Sequence, residues 1–330
     1  MLNSSLQLNE ELFLKEVELR STRQGFGDKI TELGKNEDIV VLCADLTESL
    51  KLENFAKLFP KQFIEVGIAE QNMVGIAAGM ALAEKTPFAC SHAIFQPSRN
   101  WDQIRLSVCF SDANVKIVGS HAGFSNGRDG GVAESLEDIA LMRVLPNMIV
   151  INPIDYYQTQ KAVEAAATHK GPVYLRICKE ETPIITTPDT PFELGNALKL
   201  MEGNDVTLAV TGPITYEVLL AAKELKGKHN IAAEVITFPT IKPLDQKALL
   251  ESVAKTGKIV TIEEHQKYGG FGSAVAEILA EQVPTLQKII AVNDTFGESG
   301  SYQELKDKYG LSSQHIVAET LKLCKKGAQQ

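Results

Sequence analysis

Between residues 67 and 83 the chain reads GIAEQNMVGIAAGMALA, with apolar or small residues at nearly every position of a helical wheel. That pattern predicts a helix buried on every side. Its first turn nevertheless carries an acid, Glu70, and a carboxylate entering so dry a helix costs free energy unless it finds a partner. Gly75 and Gly79, flanked by Ala77, Ala78 and Ala81, make a smooth ridge on which a second helix could lie close.

The elements around this helix follow from period and length. IVVLCAD (39–45) is a short, continuous apolar run ending in a polar loop, as a buried parallel strand requires. The alternation continues with a helix around Phe55, strands at PFACS, VKIVGS, MIVIN and VYLRI, and helices over 101–110, 135–144 and 156–168. Strands and helices alternating in this way imply βαβ units, a mostly parallel sheet and an α/β fold. Residues 9–20, with Leu12, Val17 and Leu19 among acids and bases, predict a short surface or partner-facing helix.

From 179 to 195 the composition shifts to prolines and threonines with no helical period, which marks a domain boundary. Beyond it the βα alternation restarts, with strands VTLAV, EVITF, KIVTIE and KIIAV separated by helices over 214–226, 245–255 and 271–282. The expected organisation is a first domain over 1–188, including the N-terminal helix, and a smaller α/β domain of four or five strands over 189–330.

Composition narrows the function. A chain of 330 residues with a formal charge of −9 and no basic run with interleaved aromatics offers no surface for nucleic acid. No stretch approaches a membrane span or a secretion signal. The five cysteines form no CxxC pair, and their odd number argues against a disulfide framework, so a reduced, cytoplasmic protein is expected.

In open parallel sheets, ligands sit beyond the carboxyl ends of the strands. The polar groups there are residues 45–49, 91–99, 121–129 and Lys179. Glu70 has two readings: a carboxylate satisfied by its own helix's free amides, or a buried acid available for proton transfer. SHAGFSNGRDGG (120–131) packs glycines, His, Asn, Arg and Asp directly after a strand, which suits a polar ligand better than a connector. GGFGSAV (269–275) completes only part of a dinucleotide fingerprint and reads as a tight turn opening a helix. Glu263, Glu264 and His265 read as a domain-interface network, because adjacent strand residues point to opposite faces. HExxH, P-loop and GxSxG motifs are not present, and no metal ligands are assigned.

Taken together, STR (21–23), CADLTES (43–49), GIAEQNMVGIAAGMALA, SHAIFQPSRNWDQIR (91–105), the loop 121–129, SLEDIALMRVLPNMIVINP, GPVYLR and IVTIEEHQKYGGFGSAV resemble the thiamine-diphosphate-dependent transketolase family, in the family's order. The likeness is to the C-terminal subunit of split transketolases. It implies a pyrimidine-binding domain followed by the transketolase C-terminal domain, with thiamine diphosphate and Mg2+ held mainly by an N-terminal, diphosphate-binding partner subunit in an α2β2 assembly. By the same resemblance, Glu70 hydrogen-bonds the cofactor's aminopyrimidine, and Phe95 stacks on it. His92, Arg99, Asp45 and Leu46 complete the cofactor pocket; Arg23, Ser49, His121, Arg128, Asp129 and Lys179 meet an anionic sugar, His121 also acting in catalysis.

Three positions depart from the family's pattern. Ala133 stands where a second histidine is usual, Lys179 where an arginine is, and Arg128 where an acid is. A lysine in place of arginine loses the two-pronged grip on an anion, so the expectation is a non-standard substrate such as a branched or sulfonated sugar. The competing expectations are the β subunit of a 2-oxo-acid dehydrogenase, built from the same two domains, and a non-catalytic assembly subunit. Retention of Glu70 with Phe95 speaks against the second.

Overall fold

The apolar runs become two predominantly parallel sheets in the computed structural model, which describes residues 2–14 and 17–327. In chain order, β1 (Leu19–Ser21) leads into α1 (Thr22–Leu33), β2 (Ile39–Cys43), α2 (Glu53–Leu58), β3 (Phe63–Glu65), α3 (Glu70–Leu82) and β4 (Thr86–His92). There follow α4 (Trp101–Gln103), continued by a π-helical stretch (Ile104–Phe110), then β5 (Lys116–Ser120), α5 (Asp138–Arg143), β6 (Ile149–Ile151), α6 (Tyr156–Thr168), β7 (Val173–Arg176) and β8 (Glu181–Pro183). The remainder comprises β9 (Leu198–Met201), β10 (Val206–Val210), α7 (Thr215–His229), β11 (Ala233–Thr237), β12 (Thr240–Lys242), α8 (Gln246–Thr256), β13 (Lys258–Gln266), α9 (Phe271–Gln282), β14 (Leu286–Val292), α10 (Tyr302–Lys308) and α11 (Ser313–Gly327).

The first sheet has seven strands in the order β12-β6-β7-β5-β4-β2-β3, all parallel except β12. The chain leaves β2 to one side for β3 and returns to the other for β4, so β2 and β4 flank a point where the winding reverses. Ligands of open α/β sheets bind in the crevice at such a point. The second sheet runs β14-β13-β10-β11-β9, with β9 antiparallel. β2, β5 and β10 are buried along their whole length, which is why they read as unbroken apolar runs. Several helix starts are capped by side chains that accept backbone N–H bonds: Ser21 from Gln24, Asp155 from Gln158 and Asp245 from Ala248.

The chain departs from its sequence expectations at the N-terminus. The helix expected over 9–20 is not formed where the residues are described: the backbone makes turns after Asn9 and then enters β1, while residues 15 and 16 lie outside the described set. Packing overrides the helical spacing here. Leu8 and Leu12 are buried in the core of the second sheet, and Asn9 bonds the backbone of Ile184 and Ile185. This segment and β12 both cross the division expected at residue 188: the first packs on the later sheet, and the second extends the earlier one. The proline- and threonine-rich linker is itself anchored. β8 pairs with β1, and the buried Asp155 carboxylate accepts from Ile185 N–H and from the Thr186 hydroxyl.

The α3 helix also differs from its expectation. Met73, Val74, Ala77 and Ala78 pack into the core with Ala89, Ile104 and Val108, but the opposite face is open. Gly75 and Gly79 are exposed, and a Cβ at either would meet nothing within 4 Å.

Candidate active site

The carboxyl ends of β2, β4 and β5, the start of α1 and the start of α3 converge on one crevice. Glu70 is the first residue of α3, and it does not cap its own helix. Its carboxylate, 2% exposed, instead receives Arg99 Nη1, at 3.2 Å to Oε2 and 3.4 Å to Oε1. Of the two readings of this acid, self-satisfaction by the helix amides is therefore not the one realised. Arg99, 49% exposed, lies on the solvent side of the pair, and its guanidinium covers the Phe95 ring at 4.4 Å from the centroid. The turn carrying Phe95 and Arg99 is held by two buried amides. Gln96 donates to Ala89 O (2.6 Å) and Val118 O (3.1 Å), while Asn100 donates to Glu70 O (3.1 Å) and Gln96 Oε1 (3.2 Å).

Beside the Phe95 ring, His92 at the end of β4 stacks on Phe95 at 5.9 Å and on His121 at 3.8 Å between centroids. The Ser49 hydroxyl lies between the two imidazoles, 3.0 Å from His92 Nε2 and 3.2 Å from His121 Nε2, and Ser120 Oγ is 2.9 Å from His121 Nδ1. Burial, with the positive charges of Lys179 and Arg23 nearby, pushes His92 down to about 4. His121 is pushed down to about 2 by burial, by His92 and by the same two cations. Both rings are therefore neutral near pH 7, each with one nitrogen that donates and one that accepts. A single Ser49 hydroxyl can satisfy both by donating to one Nε2 and accepting from the other, provided the tautomers differ.

Arg23, on the first turn of α1, donates from Nη1 to Ser49 O at 2.8 Å, while its Nε is buried without a partner. Arg23, Asp45, Leu46 and Ser49 line a cleft of about 640 Å3 with Thr47, Glu48 and Lys51. Asp45 adopts a positive φ of 59°, and its N–H is fixed by Glu65 Oε1 at 2.6 Å, Thr47 donating to the other carboxylate oxygen at 3.1 Å. Lys179 follows β7; its N–H reaches Ser125 Oγ at 3.2 Å, and its charge acts on both imidazoles.

Asp129 is exposed at the end of a 3-10 turn (Gly127–Asp129), near enough for its charge to act on His92. Arg128, on the same turn, is exposed and acts electrostatically on Glu304. No hydrogen bond among the described residues ties Arg128 to the imidazole cluster. The later sheet supports this loop from below: Glu264 accepts from Phe124 N–H and from the Tyr302 hydroxyl, both at 2.6 Å, and Arg176 Nη2 donates to Glu264 O at 2.9 Å. Glu264 and His265, which accepts from Ala140 N–H, thus link the two sheets, whereas Glu263 accepts from Phe271 and Gly272 N–H at the start of α9, within the later domain. Among the described residues no group of side chains that could hold a metal ion is found.

Sequence reasoning singled out the stretches that hold Ser120, Gln96 and Asn100 without giving these residues a role, and it passed over Glu65; all four orient the residues above. None of them carried a local signal; Glu65 ends β3, a strand of three residues whose place beside β2 only the fold reveals. The residues present do fit an aminopyrimidine: an aromatic ring, and near it a buried acid whose one side-chain partner is the far end of a half-exposed arginine.

Comparison with known proteins gives the same picture. Residues 19–184 match the transketolase pyrimidine binding domain, and residues 195–316 match the transketolase C-terminal domain. The chain is 42% identical to the 6-deoxy-6-sulfo-D-fructose transketolase subunit SqwH of Clostridium sp. (strain MSTE9), over 93% of this chain and 94% of the relative. It is 37% identical to an apulose-4-phosphate transketolase subunit of Phocaeicola vulgatus, over 92% and 97% respectively. Among solved structures it is similar to a split gene transketolase described as an inactive beta4 tetramer, with a TM-score of 0.84 and 43% identity over 92% of this chain and 98% of that one.

Proposed function

This chain belongs to the transketolase family, and we propose that it is the pyrimidine-binding half of a split enzyme that moves a two-carbon ketol unit from an anionic ketose to an aldose. A second, diphosphate-binding chain completes the active site and holds most of the Mg2+. The observation that carries this reading is a buried acid and an aromatic ring, Glu70 and Phe95, brought together on Arg99 beside two stacked imidazoles at the reversal point of the sheet.

Thiamine diphosphate supplies, when bound, an acidic thiazolium carbon and an electron sink for the ketol unit. Glu70 would take the hydrogen bond of the pyrimidine ring in a dry site, where such a bond is strong. Arg99 is the partner that yields, because it lies on the solvent side of the pair. Phe95 and His92 would flank the ring, and Asp45 and Leu46 would stand nearer the thiazolium. His121, within hydrogen-bond reach of Ser120, would act by hydrogen bonding at a substrate hydroxyl, and Asp129 would meet the same hydroxyls. Arg23, Ser49 and Lys179 would hold the anionic end, Arg128 adding charge at its rim.

The substrate we propose is a branched or sulfonated sugar, in keeping with Lys179 and Ala133 and with the substrates named for the two relatives above. The open Gly75 and Gly79 ridge, flanked by Ile68 (73% exposed) and Leu82 (76% exposed), supports self-association and hence an α2β2 assembly. All five cysteines are free thiols, in keeping with the cytoplasm, and no described helix is long and apolar enough to cross a membrane.

The test is to copurify the chain with its diphosphate-binding partner, add thiamine diphosphate and Mg2+, and follow ketol transfer from phosphorylated, branched and sulfonated ketoses by mass spectrometry. Transfer by the complex and none by either chain alone is expected. Full activity from this chain alone would overturn the split site.

A further inference from the structure

Arg23, Lys51 and Lys179 are among the described cations that take no part in a salt bridge. Arg23 and Lys179 stand beside the imidazole pair. Lys51 has no place in the resemblance described above, yet it lines the same cleft as Arg23 and Ser49.

The backbone fixes Lys51 there. Residues 46–52 form a tight turn in which Leu50 N–H bonds Leu46 O (2.9 Å), Lys51 N–H bonds Glu48 O (3.1 Å) and Leu52 N–H bonds Thr47 O (2.9 Å). Leu50 and Leu52 are fully buried on either side, so they anchor the turn while Lys51, at a φ of 61°, remains half-buried at the cleft. The turn also presses on α1: a Cβ at Gly27 would stand 2.5 Å from Lys51 O and 2.6 Å from Lys51 Cβ. Gly27 lies one helical turn beyond Arg23, on the same face of α1, so the α1 contact sets Lys51 beside Arg23, whose Nε is buried and unpaired. The acids of the cleft, Asp45 and Glu48, complete a site with both charges, suited to a ligand with hydroxyls at one end and an anion at the other.

We propose that Lys51 is a further anion-binding residue of the substrate cleft, acting with Arg23 on the phosphate or sulfonate of the sugar and adding charge to an anion grip that contains Lys179. This rests on the transketolase reading for the identity of the ligand but not for the existence of the anion site. An ammonium responds to total charge rather than to bidentate geometry, so Lys51 favours a dianionic phosphate over a monoanionic sulfonate.

Lys51→Asn keeps a residue tolerated at positive φ, and Lys51→Arg keeps the charge. In the complex with its partner chain, Lys51→Asn is expected to raise KM roughly tenfold for ketose phosphates, less for ketose sulfonates and not at all for neutral ketoses, at unchanged kcat, with Lys51→Arg restoring most of the loss. In the chain alone, inorganic phosphate is expected to raise Tm in the wild type and Lys51→Arg, and to do so much less in Lys51→Asn. Equal phosphate responses in wild type and Lys51→Asn, or an equal rise in KM for neutral ketoses, overturns the proposal. If the complex transfers no ketol unit while the phosphate response still depends on Lys51, the transketolase reading falls and the anion site stands.

Discussion

His92 and His121 stack with ring centroids 3.8 Å apart and share one hydroxyl, that of Ser49. Their ordinary value is 6.5, and burial with nearby cations pushes them down to about 4 and about 2. The unfolded chain therefore binds more protons than the folded one below 6.5, and the stability that depends on keeping the rings neutral is lost as pH falls from there through about 4. Replacing His92 with Phe removes one titrating ring while keeping an aromatic face for stacking. In thermal denaturation across pH 4 to 7, His92→Phe is expected to lose less Tm on acidification than the wild type. Parallel curves would show that the pair does not carry this acid sensitivity.

Glu134 acts with the opposite sign. Both its carboxylate oxygens are buried without a partner, against Gly297. Burial, together with Glu264 and Glu298, raises it from 4.5 to about 7. A raised carboxyl is protonated in the fold, so its contribution is full below 4.5 and is lost as pH rises through about 7. Glu134→Gln keeps the shape without the charge. The variant is expected to match the wild type in Tm at pH 4 and to exceed it at pH 8; the reverse order at pH 8 would mean that the carboxylate has a stabilising partner.

The open ridge of α3 separates folding from assembly. A Cβ at Gly75 meets nothing within 4 Å, so Gly75→Ala is expected to stabilise the isolated chain, by up to about 1 kcal/mol in urea denaturation, through helix propensity alone. Gly75→Leu is expected to leave the chain folded by circular dichroism but to lower the assembly's mass in sedimentation velocity. An unchanged assembly with Leu at this position would exclude the ridge as a contact.

Much of the architecture is legible in the sequence because buried parallel strands show as continuous apolar runs: IVVLC, KIVGS and VTLAV form β2, β5 and β10. What escapes is short or set at long range. β3 and β12 have three residues each, too few to show a period, and β12 exists because it finds the edge of the other sheet beside β6. The expected N-terminal helix fails because Leu8 and Leu12 gain more by entering a distant core than by forming a helical face. The reading of α3 as buried all round fails on its glycine face, where small residues look the same whether they meet a neighbour or await one.

At the site, Glu70 is conspicuous because an acid in an apolar helix demands a reason. Its partner Arg99, 29 residues along the chain, falls among the polar groups expected at the sheet edge, but nothing local ties it to Glu70, and Ser120, Gln96 and Asn100 are ordinary polar residues until the fold brings them to His121, Val118 and Glu70. The placement of Lys51 in the same cleft as Arg23 goes with the close approach of a turn to Gly27, which no local pattern announces.

The central claim is that Glu70 activates the cofactor of a site shared with a second chain. The most direct measurement is the exchange of the thiazolium C2 proton for deuterium, followed by NMR in the two-chain complex loaded with thiamine diphosphate and Mg2+, wild type against Glu70→Ala. The account predicts exchange slowed by roughly 10² to 10⁴ in the variant, the usual contribution of a general acid or base, with the complex still assembled. Exchange in the intact variant complex within about threefold of the wild type, far below that range, would contradict it.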